Sequence, residues 1–184
     1  MQAIRERIPD HAKDLRLNLD ALGKIESLSA RQLWGTALAS AIAARNDELL
    51  RAVDGEAKKH LDEAALAAAR TAAALMGMNN VYYRALHLVS NKEYGALPAR
   101  LRMQGIANPG IDRVDFELAC LAVSAIHGCG SCLDSHEQEL RKRGATALQV
   151  QDALRIASIL HAVALVLDGE RALAPAESSQ LNPR

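Results

Sequence analysis

The sequence predicts an all-α fold built on an internal duplication of a helical unit, and three observations carry that prediction. Apolar residues make up 49% of the 184-residue chain but aromatic ones only 3%, so the core must be assembled from Ala, Leu, Ile and Val, which suit close helix packing. Helix-start and helix-stop residues punctuate the chain at helix-length intervals. The second half also lies over the first at a shift of 84: Ser124-Ala125-Ile126 falls on Ser40-Ala41-Ile42, Thr146 on Asp62, and Ala153 and Ala157 on Ala69 and Ala73.

Taken in order, residues 1–28 form an N-terminal helical segment whose helix, 9–22, interleaves Leu15, Leu17, Leu19 and Leu22 with charge and stops at Gly23. The first repeat, 29–90, opens on Ser29-Ala30-Arg31-Gln32, a capping box for a helix to about Arg45. A charged amphipathic stretch, 47–60, follows. Asp62 then starts a long Ala-rich helix to about Val89, with Gly77 or Asn79-Asn80 as candidate breaks. Pro98, Gly105 and Asn108-Pro109-Gly110 mark 91–115 as a connector enclosing a short helix. The second repeat, 116–168, begins with a helix over 116–126 whose single charge is Glu117, a pattern expected of a helix buried nearly all round. Gly128 interrupts it, and a second helix carries Cys132 to about Arg143, where Gly144 stops it. Thr146-Ala147-Leu148-Gln149 caps a final helix to about Leu167. The tail, 169–184, with Pro175, Ser178, Ser179 and Pro183, has little to bury and is expected to be loose.

Twenty-two basic residues balance 22 acidic ones, leaving no net field to concentrate on nucleic acid or an anionic membrane. The N-terminus is charged where a signal peptide would be apolar, and no uninterrupted apolar run approaches about 20 residues, so a cytoplasmic protein is expected. Of three cysteines, two stand three positions apart, a pattern that in a reducing compartment points to catalysis or metal binding rather than to a disulfide scaffold.

That pair lies in Cys129-Gly130-Ser131-Cys132-Leu133-Asp134-Ser135-His136. Offsets of three, four and seven share a helix face, so two thiols and an imidazole converge if the helix includes or adjoins Cys129. A thiolate is the nucleophile, and a free thiol of pKa about 8.5 is only a few per cent ionised at neutral pH. Lowering that pKa by about two units raises the thiolate fraction roughly 25-fold but returns roughly eightfold in nucleophilicity. Activation therefore rests on geometry: His136 to take a proton, and the second sulfur to expel the product by forming a disulfide. A carboxylate would orient the imidazole, and both Glu139, on the same helix, and Glu117, alone in its apolar run, qualify on spacing. Under the shift of 84 the reactive residues fall on Arg45, Glu48 and Ala52, so the first repeat is scaffold and the second carries the site.

A Glu on an apolar helix, eleven residues, then Cys-x-x-Cys-x-x-x-His resembles the alkylhydroperoxidase D family of the carboxymuconolactone decarboxylase-like superfamily. Gln32-Leu33-Trp34-Gly35-Thr36, Met76-Gly77-Met78-Asn79-Asn80-Val81 and Ile106-Ala107-Asn108-Pro109-Gly110 extend the likeness to about residue 170. The resemblance implies a duplicated helical fold, a homotrimer and reduction of organic hydroperoxides. It also implies recycling of a partner peroxiredoxin, alkylhydroperoxidase C, with electrons from dihydrolipoamide on a lipoyl-bearing acyltransferase, and no bound cofactor or metal. It assigns Glu117 to act through water on His136, Cys132 as the thiol His136 deprotonates, and Cys129 as its disulfide partner. In one departure, Ser131 stands where similar proteins often carry a His between the cysteines, and His127 lies just before the motif; both are candidate neighbours of the pair.

Other readings compete. Cys129 and Cys132 could be buried helical cysteines, or with His136 three ligands of a metal, although no second cluster closes a structural zinc site. Glu117 could be an ordinary exposed carboxylate. Cys120 reads as a packed inert thiol, Met76 and Met78 as core filler, and Trp34, Tyr82 and Tyr83 as packing at helix or subunit contacts. The apolar breadth of 64–78 and 156–167 also suits an oligomer interface. Functionally, a peroxidase competes with a dithiol adaptor of little peroxidase activity, a non-redox decarboxylase-like enzyme and a metal-binding module.

Overall fold

The computed structural model describes residues 1–175, and among them ten α-helices and one 3-10 turn occur with no strand. Helices α3 (Ala30–Ala44), α5 (Glu63–Leu88), α8 (Arg113–His127) and α10 (Ala147–Leu173) form the central bundle, α4 (Asp47–Ala57) packs on α3, and α9 (Gly130–Lys142) on α8 and α5. Small side chains make this possible: Ala37, Ala39 and Ala41 of α3, Ala72 of α5 and Ala153 and Ala157 of α10 are all buried, letting helix backbones approach closely. In α8 every residue from Phe116 to Ser124 is buried, as expected of a helix surrounded on all sides.

Both capping boxes form, Ser29 with Gln32 and Thr146 with Gln149. Cap positions repeat along the chain. Ser29 and Asp112 start α3 and α8, Arg45 and Gly128 end them in left-handed geometry, and Asn46 and Cys129 start α4 and α9, each pair 83 residues apart; Asp62 and Thr146, starting α5 and α10, are 84 apart. The shift of 84 therefore holds for the third helix of each unit, whereas over the first two the register is 83. Cys129, Cys132 and His136 then correspond to Asn46, Leu49 and Val53, not to Arg45, Glu48 and Ala52.

Several element expectations need correcting. Ahead of the helix expected at 9–22 lies α1 (Gln2–Arg7), which buries Ile4; Pro9 separates it from the 3-10 turn Asp10–Ala12 and α2 (Lys13–Leu22). Helix α5 runs unbroken past Gly77 and Asn79-Asn80, because the side chain of Asn80 bonds across to α8 instead of competing for its own backbone. The connector holds two short helices, α6 (Glu93–Ala96) and α7 (Gln104–Ala107), and Asp112 caps α8 three residues earlier than expected. Gly105 of α7 lies so close to α5 that an added Cβ would meet Thr71 Cγ2 at 2.8 Å. The tail expected to loosen at Gly169 stays helical to Leu173; Ser178, Ser179 and Pro183 lie outside the described residues. Helix α10 is apolar and long enough to cross a membrane, with mean hydropathy 1.6 over its best window, yet 56% of that window is buried in the bundle.

Candidate active site

The corner between α8 and α9 sets the site. Gly128, at φ +67°, ends α8; its N–H donates to the Ala125 carbonyl and that of Cys129 to the Ser124 carbonyl, both at 3.1 Å, so the chain reverses with its helix-end carbonyls satisfied. Cys129 thereby becomes the N-cap of α9, and its carbonyl accepts the Leu133 N–H at 2.9 Å. Cys132 follows in the first turn. The Cα atoms are 5.3 Å apart and the sulfurs are joined in a disulfide, so this is the oxidised form. Both sulfurs lie in the first turn of the helix, where its dipole favours a thiolate once the bond is opened. Cys129 is 0% exposed and Cys132 6%, and of the two only Cys132 lines a cleft of about 740 Å³ walled by α5, α7, α8 and α9. The Ser131 hydroxyl stands 3.6 Å from Cys129 Sγ.

One turn beyond Cys132, the buried His136 ring is held through Nδ1, 2.6 Å from Glu117 Oε2, while Nε2 lies 3.1 Å from Met76 Sδ. Glu117, 2% exposed, also pairs through Oε1 with the Arg113 guanidinium at 2.8 Å, and Arg113 donates in turn to the Ile106 carbonyl of α7. An ionised carboxylate only accepts, so the hydrogen bond to Glu117 fixes the imidazole proton on Nδ1. That leaves Nε2 with a bare lone pair, beside a thioether that has no proton to donate to it. The contact between Glu117 and His136 is thus direct, where the resemblance implied one through water. Glu117 is not an exposed carboxylate, and Glu139 is not the orienting group: it bonds Arg143 Nε at 2.7 Å, which holds its carboxyl below the usual range.

The remaining sequence candidates separate clearly. The His127 ring accepts from Asn80 Nδ2 at 3.1 Å, and Asn80 Oδ1 accepts from the Ser124 hydroxyl at 3.1 Å, tying His127 to α5. Burial, then the charges of Arg45 and Arg84, push the His127 pKa down, so it stands neutral with Nδ1 as acceptor. Cys120 is free and buried; burial, and then the charge of Glu117, push its thiol well above the usual value, so it packs as an inert residue. Among the described residues no group of three or more His, Cys, Asp or Glu is placed to hold a metal ion. Arg113 is the site residue the sequence reading lacked, although its place four residues before Glu117 on one helix face was a readable signal; Met76 is core filler as expected, and also lines the cleft beside His136.

A model of the carboxymuconolactone decarboxylase family matches residues 92–175, the part that contains α8, α9 and α10. Likeness to curated proteins covers nearly the whole chain. It is 52% identical over 179 residues to alkyl hydroperoxide reductase AhpD of Rhodospirillum centenum, covering 97% of this chain and 96% of that protein. To the proteins of the same name from Frankia alni and Maricaulis maris it is 56% identical over 165 residues and 55% over 170, covering 90% and 92% of this chain and 89% and 98% of theirs.

Proposed function

Because the chain belongs to the alkyl hydroperoxide reductase AhpD family, we propose that it is a thiol peroxidase reducing alkyl hydroperoxides through Cys129 and Cys132. The observation that carries this reading is the disulfide itself, with Cys132 on the wall of an open cleft and the His136–Glu117 pair one turn away.

In the reduced protein the Cys132 thiol gives its proton to His136 Nε2, which swings from Met76 to receive it, while Glu117 stabilises the resulting imidazolium. The Cys132 thiolate attacks the terminal oxygen of the hydroperoxide; the O–O bond breaks, the alkoxide takes a proton from His136 and leaves as the alcohol, and Cys132 becomes a sulfenic acid. The Cys129 thiol then attacks that sulfur, and water departs as the disulfide closes. Two electrons pass from the dithiol to the peroxide.

Regeneration needs an external dithiol, and we assign that part to dihydrolipoamide carried on an acyltransferase. Its thiolate would attack Cys132, the sulfur facing the cleft, and Cys129 would leave as a thiolate at the start of α9; the second lipoyl thiol would then close the lipoyl disulfide and free Cys132. A cleft of about 740 Å³ falls within the usual range for small-ligand sites, which supports entry of a lipoyl arm. The same exchange chemistry would let the protein reduce the disulfide of a partner peroxiredoxin of the alkylhydroperoxidase C type. A homotrimer working in the cytoplasm completes the proposal, since a dithiol that cycles this way needs a reducing compartment.

A second reading, a disulfide-reducing adaptor with little peroxidase activity, uses the same four side chains. Stopped-flow oxidation of the reduced protein by an alkyl hydroperoxide, set beside its reduction of a peroxiredoxin disulfide, ranks the two: a partner reaction faster by orders of magnitude makes it an adaptor first. Cys129→Ser and Cys132→Ser are each expected to abolish turnover in both assays, and full activity in either variant rejects the mechanism.

A further inference from the structure

On the opposite unit of the bundle lies a second cleft, of about 530 Å³, between α1, α2, α3, α4 and α10. In the register set by the helix caps, its walls are those of the catalytic cleft with the reactive groups replaced. Trp34 stands where Glu117 does, Val53 where His136 does, and Leu160 where Met76 does. Glu56 and Lys59 match Glu139 and Lys142 at the rim, and Asp20 and Gly23 occupy the places of Met103 and Ile106. Seven lining positions thus coincide, at an interval of 83, or 84 for Leu160. Asn46 and Leu49, in the places of the two cysteines, are buried, so this unit has the concave form of the active cleft without its chemistry.

We propose that this second cleft binds a small uncharged molecule with an alkyl or aryl body and a polar end. Its lining sets the body: Trp34, Leu22, Leu33, Ala37 and Leu160 offer apolar surface with no buried ionisable side chain to satisfy. Its mouth sets the charge. Arg5 grips Asp20 with Nε 2.9 Å from each carboxylate oxygen, and Lys59 holds Glu56 at 2.8 Å with the terminal ammonium of Met1 also drawing on that carboxylate, so the charged side chains at the mouth are paired among themselves. The polar end would stay at that rim in water while the alkyl or aryl body displaces solvent from the apolar floor.

Trp34 is the single tryptophan of the chain, so its emission reports occupancy directly, without reference to activity. Titrating the oxidised protein with 1-hexanol, 1-octanol and 1-decanol is expected to give a saturable change in Trp34 emission, with affinity rising by up to about fourfold per methylene. Ala37→Leu, which fills the floor, should weaken 1-octanol binding at least tenfold. Gly23→Phe, which plugs the mouth where an added Cβ meets nothing closer than the Asp20 carbonyl oxygen at 3.9 Å, should do the same, and keeps the test open if the first variant does not fold. Alkylating reduced Cys132 should leave the response intact. The proposal is overturned by any of three results: no saturable change, a response lost on Cys132 alkylation but kept in Gly23→Phe, or emission that follows protein concentration and ignores the alcohol, which would mean that a second copy of the chain covers the cleft.

Discussion

Replacing Glu117 by Gln tests the proton path at its buried end. The substitution keeps shape and removes charge, at a carboxylate that spans Arg113 at 2.8 Å and His136 at 2.6 Å. Each is a charge-assisted bond of about 1.5–3 kcal/mol, of which a neutral amide retains about 1 kcal/mol, so a stability loss of about 1–4 kcal/mol is expected. The kinetic effect is larger. An amide that turns its NH2 toward Nδ1 makes that nitrogen an acceptor and moves the imidazole proton to Nε2, the atom that must receive the thiol proton. General-base catalysis contributes about 100- to 10,000-fold, so oxidation of the reduced protein should slow at least about 100-fold at pH 7, or about 2.7 kcal/mol of barrier. Near pH 9, above the pKa of about 8.5 of a free thiol, the deficit should shrink because the thiol ionises unaided. Single-turnover stopped-flow oxidation by an alkyl hydroperoxide across pH 6–9, with the thermal midpoint as folding control, reads both effects. A folded Glu117→Gln protein within about threefold of the parent at pH 7 would refute the role assigned to this carboxylate.

Three further outcomes follow from the same geometry. His136→Phe should slow oxidation most at neutral pH and progressively less toward pH 9, and a defect of constant size across that range contradicts its role as base. Alkylation of the reduced protein, mapped by mass spectrometry, should modify Cys132 first and Cys120 last, since burial holds the Cys120 thiol well above the usual pKa; early Cys120 labelling would contradict the packing described. His127 is held neutral in the folded chain with its pKa depressed, so the unfolded chain binds the proton first as pH falls. Stability should therefore be unaffected by this residue above about pH 6.5 and decline below it until the folded pKa is reached, by a modest amount because solvent screens the half-buried ring. His127→Gln should flatten that decline between pH 7 and 5 in denaturant titrations, and parallel curves for the two proteins would show that His127 is not the group responsible.

Local signals carried most of the fold. Caps and stops are short-range chemistry, and Ser29, Gly128 and Thr146 each mark a helix end where expected. Where the reading failed, distant partners had decided. Asn79-Asn80 reads as a break because Asn competes with helical backbone, but Ser124 and His127 of another helix occupy the Asn80 side chain. The charge of residues 1–7 concealed α1, which forms because Ile4 and Ile8 find buried places in the bundle. At the site, Cys129, Cys132 and His136 were legible because two successive helix turns stack them on one face, and Glu117 because a lone carboxylate in an apolar run needs a partner. That this partner is His136 itself, that Arg113 closes the other side and that Met76 lies beside Nε2 depend on how α5, α8 and α9 cross. The one-residue slip between the halves of the repeat was hidden by the chance match of Ser124-Ala125-Ile126 with Ser40-Ala41-Ile42, and only the caps reveal it.

A thiol count tests the redox pair most directly. The fully reduced chain has three cysteines, and after one equivalent of an alkyl hydroperoxide the denatured protein should retain one titratable thiol, that of Cys120, with peptide mapping locating a Cys129–Cys132 disulfide and one equivalent of alcohol released. Three surviving thiols with the hydroperoxide unconsumed, or a disulfide that includes Cys120, would contradict the account.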